Sequence, residues 1–116
     1  MKVFLKMSAF KIMWLMLMFD LPTKTKKDKK RYHWFHDELE KEGFMMLQYS
    51  IYGKIFSSPE SASYGKKRIK EFINKNIKKG NIRMIMFTDK QFANMEIIIG
   101  EKSTEEKNEP MQLLLF

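Results

Sequence analysis

The longest uninterrupted apolar run in the chain is Ile12–Phe19, IMWLMLMF, and it is followed by Asp20, Leu21 and Pro22. A run of that length without polar alternation predicts a central strand covered on both faces, although periodicity alone does not separate it from a buried helical segment. Pro22 and the hydrophilic stretch beyond it predict an end near Asp20. Residues 23–31, TKTKKDKKR, are too charged for a core. From about Lys27 the pattern turns helical: Tyr32, Phe35 and Leu39 recur three and four apart with charges between them, and Gly43 suits the stop. Phe44–Phe56, FMMLQYSIYGKIF, returns to strand character. Met45, Leu47, Tyr49, Ile51 and Ile55 fall on one face, and Met46, Gln48, Ser50, Tyr52 and Lys54 on the other. The stretch exceeds a usual strand, and Gly53 marks a bulge in one bent strand or the break between two short ones.

Ser58 and Pro59 have the residue types of an N-cap and a first helical position. The stripe Ala62, Gly65, Ile69, Phe72, Ile73 and Asn76 predicts a second helix, ending by Gly80-Asn81. Asn81–Thr88 alternates as a strand, with Ile82, Met84 and Met86 opposite Arg83, Ile85 and Phe87. TDKQFANM then reads as a turn, MEIIIG as another short strand, and residues 101–110 as a polar tether. The closing MQLLLF predicts a terminal strand that must pair with its own sheet or a partner's. This order is that of an α+β fold with the helices on one sheet face. A ferredoxin-like βαββαβ plan with an extra C-terminal strand fits if residues 44–56 divide into two strands.

Charge changes this picture more than size does. The chain has 116 residues, enough for one domain with a modest core that gains from pairing with a second copy. Its net charge of +8 is concentrated in two blocks. Residues 23–33 hold six Lys or Arg against one Asp, and residues 66–83 hold eight against one Glu. Clustered cations of this kind predict a polyanionic partner, foremost nucleic acid; the plainer reading is a solvated face. Eleven methionines suit irregular core gaps, and the absence of cysteine excludes disulfides and thiolate metal sites. The basic, apolar start lacks a small-residue cleavage site, and Ile12–Phe19 is too short to span a bilayer, so no membrane and a cytoplasmic location are expected.

Candidate chemistry is sparse. Asp20, at the end of a buried strand, could bind magnesium, which takes one or two carboxylates with waters and phosphate oxygens. A second Asp20 across a two-fold axis would complete a pair, and bound metal would polarise a phosphodiester. The alternative is an Asp that caps a turn. His33 and His36, three apart, could reach one metal with Asp37 nearby, yet no third-ligand motif accompanies them. Gln48, Ser50 and Tyr52 make a polar row on an otherwise apolar strand, suited to a groove or a dimer interface. No phosphate-binding Gly-rich loop and no nucleophile-elbow motif occurs.

Taken in order, MFDLP, the basic helix leading to LEKEGFMMLQYSIYGKI, and GNIRMIMFTDKQFANMEIIIG resemble the CRISPR-associated protein 2 family, the small subunit of the CRISPR adaptation module. TDKQFANM resembles the version found in type II systems. The resemblance covers residues 12–100 and implies one ferredoxin-like domain there, an N-terminal extension over residues 1–11, and a tether with a strand paired within a homodimer over residues 101–116. It implies that Asp20 faces its symmetry mate and binds Mg²⁺ as the catalytic residue of an endonuclease acting on RNA or DNA. In antiviral spacer acquisition it implies a dimer that bridges dimers of the CRISPR integrase subunit and holds double-stranded spacer DNA. Gln48, Ser50 and Tyr52 match the family's Gln-x-Ser-x-aromatic strand motif, whereas Phe19 stands where many members carry Tyr. Lys24, Lys26, Lys27, Lys29, Lys30 and Arg31, with Lys66, Lys67, Arg68 and Lys70, then become the expected phosphate contacts.

Overall fold

A computed structural model describes residues 11–101. Strand β1, Met13–Asp20, sits at the centre of a four-stranded antiparallel sheet ordered β2-β3-β1-β4, with β2 at Met45–Gln48, β3 at Ile51–Phe56 and β4 at Asn81–Thr88. Helices α1, Lys26–Lys41, and α2, Pro59–Asn76, connect the strands, and a short α3, Asp89–Ala93, follows β4. Element order and strand order together make the fold ferredoxin-like.

The continuous apolar run of β1 follows from pairing on both edges and packing on both faces. Leu15, Leu17 and Phe19 join Phe35, Leu39, Tyr52 and Ile69 in the helix-side core. Trp14 faces the other way, in a smaller cluster with Ile12, Ile55 and Phe92. It is fully buried, stacks on Phe92 at 3.9 Å, and donates its indole N–H to Asp89 at 2.8 Å. Gly53 lies beneath that indole, where a Cβ would come to 3.0 Å of both the Trp14 ring and Leu47. It is therefore a packing glycine inside β3 and not a bulge. The ladder irregularity falls between Met46 and Gln48, and the chain reverses at Tyr49–Ser50 with Ser50 at φ 63°.

Local chemistry sets the helix ends. Thr25 caps α1 and shares a reciprocal capping box with Asp28, which starts the helix within a run of lysines; Ser58 caps α2 ahead of Pro59. Gly43 takes a positive φ of 92° beyond α1, as expected of a helix stop. Residues 95–100 are not a strand. After α3 they run across the open sheet face, where Met95, Ile97 and Ile99 line a groove with Met16, Leu47 and Ile51. The expected MQLLLF strand lies outside the described residues. No helix among the described residues is long and apolar enough to cross a membrane.

Gly80 has the tightest backbone requirement, with φ 104° and a hypothetical Cβ 2.7 Å from the carbonyl oxygen of Asp20. Gly80→Ala is expected to lower stability by about 1–3 kcal/mol, seen as an earlier urea midpoint at unchanged slope.

Candidate functional site

Asp20 is exposed at the end of β1, opposite Asn81 of β4. It borders a depression of about 340 Å³ shared with Met18, Tyr49, Ser50, Asn81 and Arg83. The alternation of β1 sends Asp20 and Met18 to the open face, away from the helices, and Arg83 pairs with Met18 in register. A carboxylate and a guanidinium therefore stand in one recess. Arg83 was legible only as a single cation on the otherwise apolar Ile85–Phe87 face of β4. Tyr49, 71% exposed and stacked at 5.7 Å on Tyr32, forms the rim.

The residue before Asp20 points the opposite way. Phe19 is buried against Tyr32, Phe35 and Tyr52, with ring centroids 5.0 to 5.9 Å away. A tyrosine at this position would add its hydroxyl to that helix-side cluster, across the strand from the Asp20 carboxylate. The cluster already holds three hydroxyls. Ser50 and Tyr32 bond at 2.9 Å, and the Tyr52 hydroxyl meets Nδ1 of His36. Burial pushes the Tyr32 phenol up, opposed by its bond to Ser50. Burial, reinforced by the charges of its surroundings, pushes Tyr52 up to about 12. A Tyr52 that keeps its proton donates to Nδ1 of His36, and the hydrogen on Nε2 then faces Glu40 at 3.1 Å.

Gln48, Ser50 and Tyr52 do not form one row. The irregularity in β2 sets Gln48 opposite Ile51, Ser50 occupies the turn, and Tyr52 is buried beneath the helices. Only Ser50 touches the Asp20 depression. His36 is occupied by Tyr52 and Glu40, and His33 lies edge-on to Tyr32.

Among the described residues no cluster of three or more His, Asp or Glu is placed to hold a metal ion. Asp20 with the Asn81 amide is a hard oxygen donor set that suits magnesium, but it supplies one carboxylate. The residues present fit such an ion in part, as a carboxylate and an amide oxygen without a second carboxylate.

The basic blocks are brought to different places. Lys24, Lys26, Lys27, Lys29 and Lys30 are exposed and Arg31 is half-buried on the first turns of α1 and the loop before it. There Lys27 and Arg31 share a recess of about 480 Å³ with Asn76, Lys78 and Lys79, beyond the end of α2. Lys66, Lys67 and Lys70 are exposed along α2, whereas Arg68 pairs with Glu42 at 3.3 Å, beyond the opposite end of α1. Lys78 and Lys79 join the first block only because α2 runs antiparallel to α1.

The sequence profile of the family described as CRISPR associated protein Cas2 matches residues 13–95. A protein of Flavobacterium psychrophilum named CRISPR-associated endoribonuclease Cas2 is 36% identical over 111 residues, covering 96% of this chain and 94% of its own length. A protein of the same name from Parvibaculum lavamentivorans is 38% identical over 104 residues, covering 90% of this chain and all of its own length. Another, from Streptococcus mutans, is 39% identical over 102 residues, covering 88% and 91%.

The folded state holds the Tyr52 phenol proton that the unfolded chain releases near 10, so the stabilisation is complete below 10 and is lost as pH rises towards about 12. Tyr52→Phe is expected to flatten the fall of the urea midpoint across that window.

Proposed function

The chain belongs to the CRISPR-associated protein Cas2 family, and on that premise we propose that it is the DNA-binding subunit of a CRISPR spacer-acquisition complex, acting as a homodimer that bridges integrase dimers. The observation that carries this reading is the convergence of two basic segments, distant in sequence, on one recess: Lys27 and Arg31 with Lys78 and Lys79. Point charges on an exposed surface suit phosphate backbone, which is held without regard to base sequence. Lys24, Lys26, Lys29 and Lys30 extend this surface along the start of α1, and Lys66, Lys67 and Lys70 add cations on α2. Arg68 contributes less, because its guanidinium already bonds Glu42.

A second reading is phosphodiester hydrolysis, supported by the name endoribonuclease that relatives carry and by the exposed Asp20 in its depression. Asp20 of each of two copies would hold Mg²⁺, and the ion would supply Lewis-acid charge stabilisation and an activated water. Within the chain, Asp20 would orient that ion, and Arg83 beside it would attract the phosphate.

Duplex DNA binding is expected to weaken steeply with salt. Lys27→Gln and Lys78→Gln should each reduce the slope of log affinity against log salt by about one. Fluorescence anisotropy across a salt series reads this, and a salt-independent affinity would sink the DNA-binding proposal. Asp20→Ala separates the two readings. Spacer integration in cells should survive the change while magnesium-dependent cleavage of RNA in vitro is lost; loss of both would make hydrolysis the main function.

A further inference from the structure

Lys54 occupies a position that the alternation of β3 turns towards the helices, between Tyr52 and Phe56, both of which pack in the helix-side core. A lysine aimed inwards is unfavourable unless its ammonium finds a partner. Here its stem passes Gly43, where a Cβ would come to 3.3 Å of the lysine Cε, and its Nζ lies 5.1 Å from the centroid of the Phe56 ring. Among the described residues the ammonium forms no hydrogen bond, so its three donors remain available. Burial pushes its pKa down; the Glu42 carboxylate opposes that fall and Arg68 adds to it.

The half-buried ammonium opens onto a groove of about 310 Å³ between α2 and β3. Phe44 and Phe56 line it with Arg68 and Glu42, and the Tyr64 ring beside them is 72% exposed. Arg68 directs one nitrogen to Glu42 at 3.3 Å and keeps its other donors. Two cations against one carboxylate leave a positive site with aromatic walls. None of its lining residues is shared with the Asp20 depression. The volume is at the small end of ligand sites, room for one residue of a nucleic acid and not for a duplex.

We propose that this groove binds a single phosphorylated nucleotide, with its phosphate on Lys54 and Arg68 and its base stacked against Tyr64. The shared chemistry belongs either to a free nucleoside monophosphate or to the 5′-phosphorylated end of a strand.

The test is titration of the full chain, followed by NMR chemical shifts and calorimetry, with adenosine 5′-monophosphate, a short 5′-phosphorylated oligonucleotide, and the same oligonucleotide with a 5′-hydroxyl. Saturable binding of the phosphorylated probes, at least about tenfold tighter than the hydroxyl form, is expected. Tighter binding of the phosphorylated strand than of the monophosphate assigns the site to strand ends; the reverse order assigns it to free nucleotide. Lys54→Met should weaken the monophosphate about tenfold, and Tyr64→Ala, an exposed position that carries no folding risk, should weaken it several-fold by removing the stack. Lys75→Met removes one positive charge outside the groove, near the end of α2, and should leave binding unchanged. Equal losses in Lys54→Met and Lys75→Met, or the absence of saturable binding, would overturn the proposal. Neither outcome bears on duplex binding at Lys27 and Lys78.

Discussion

Everything in this fold hangs on the two-sided pairing of β1. Its backbone is bonded to β3 along one edge and to β4 along the other, so it cannot slide or rotate without breaking both ladders. A strand has a side-chain period of two, and a slip of one residue would move Asp20 into the aromatic core and Phe19 into solvent. The positions of the carboxylate, of Arg83 and of the hydroxyl cluster behind Phe19 therefore follow from one register. The apolar run needs no special explanation beyond this: a strand covered by helices on one face and by Phe92 and its neighbours on the other has little room for polar side chains.

The polar groups near Asp20 divide between the two sides of the sheet. On the open side the carboxylate, the Asn81 amide and the Arg83 guanidinium are available to a ligand or to a second chain. On the helix side Ser50, Tyr32, Tyr52 and His36 satisfy one another. Ser50, in its left-handed turn, and its neighbour Tyr49 touch both environments, and the bond from the Phe19 N–H to the Ser50 carbonyl, at 3.0 Å, ties that turn to the end of β1. A change at Ser50 would disturb the placement of Asp20 through the backbone as well as through its hydroxyl.

Much of this could be read from residue order. The central strand, the α1 stripe of Phe35 and Leu39, the Ser58-Pro59 start and the alternation of β4 are local patterns with local causes. What stayed hidden depends on the rest of the chain. Gly53 carries a bulge signal in isolation, but here it makes room for an indole from β1. The turn at Tyr49–Ser50 lacks Gly, Pro, Asn and Asp, and its single serine is the weakest of the turn signals. Residues 95–100 have strand composition, yet Ile99 is 93% exposed and its neighbours lie over the sheet face without joining an edge. Lys54 falls on the polar side of the alternation within β3, and only the packing of α1 and α2 above it shows that this side is the interior. The Thr25–Asp28 box was a readable signal, obscured by the lysines around it.

Gly80 has a consequence for how tolerance to substitution would be interpreted. A scan of every position for loss of function would mark Gly80, and its proximity to Asp20 would invite a role in the same recess. The cause would differ: at Gly80 any side chain meets the Asp20 carbonyl, so intolerance there reports steric clearance for the backbone and not participation in chemistry. Asparagine, the residue that best accepts a left-handed backbone, would be no safer than alanine, because the obstruction lies at the first side-chain carbon.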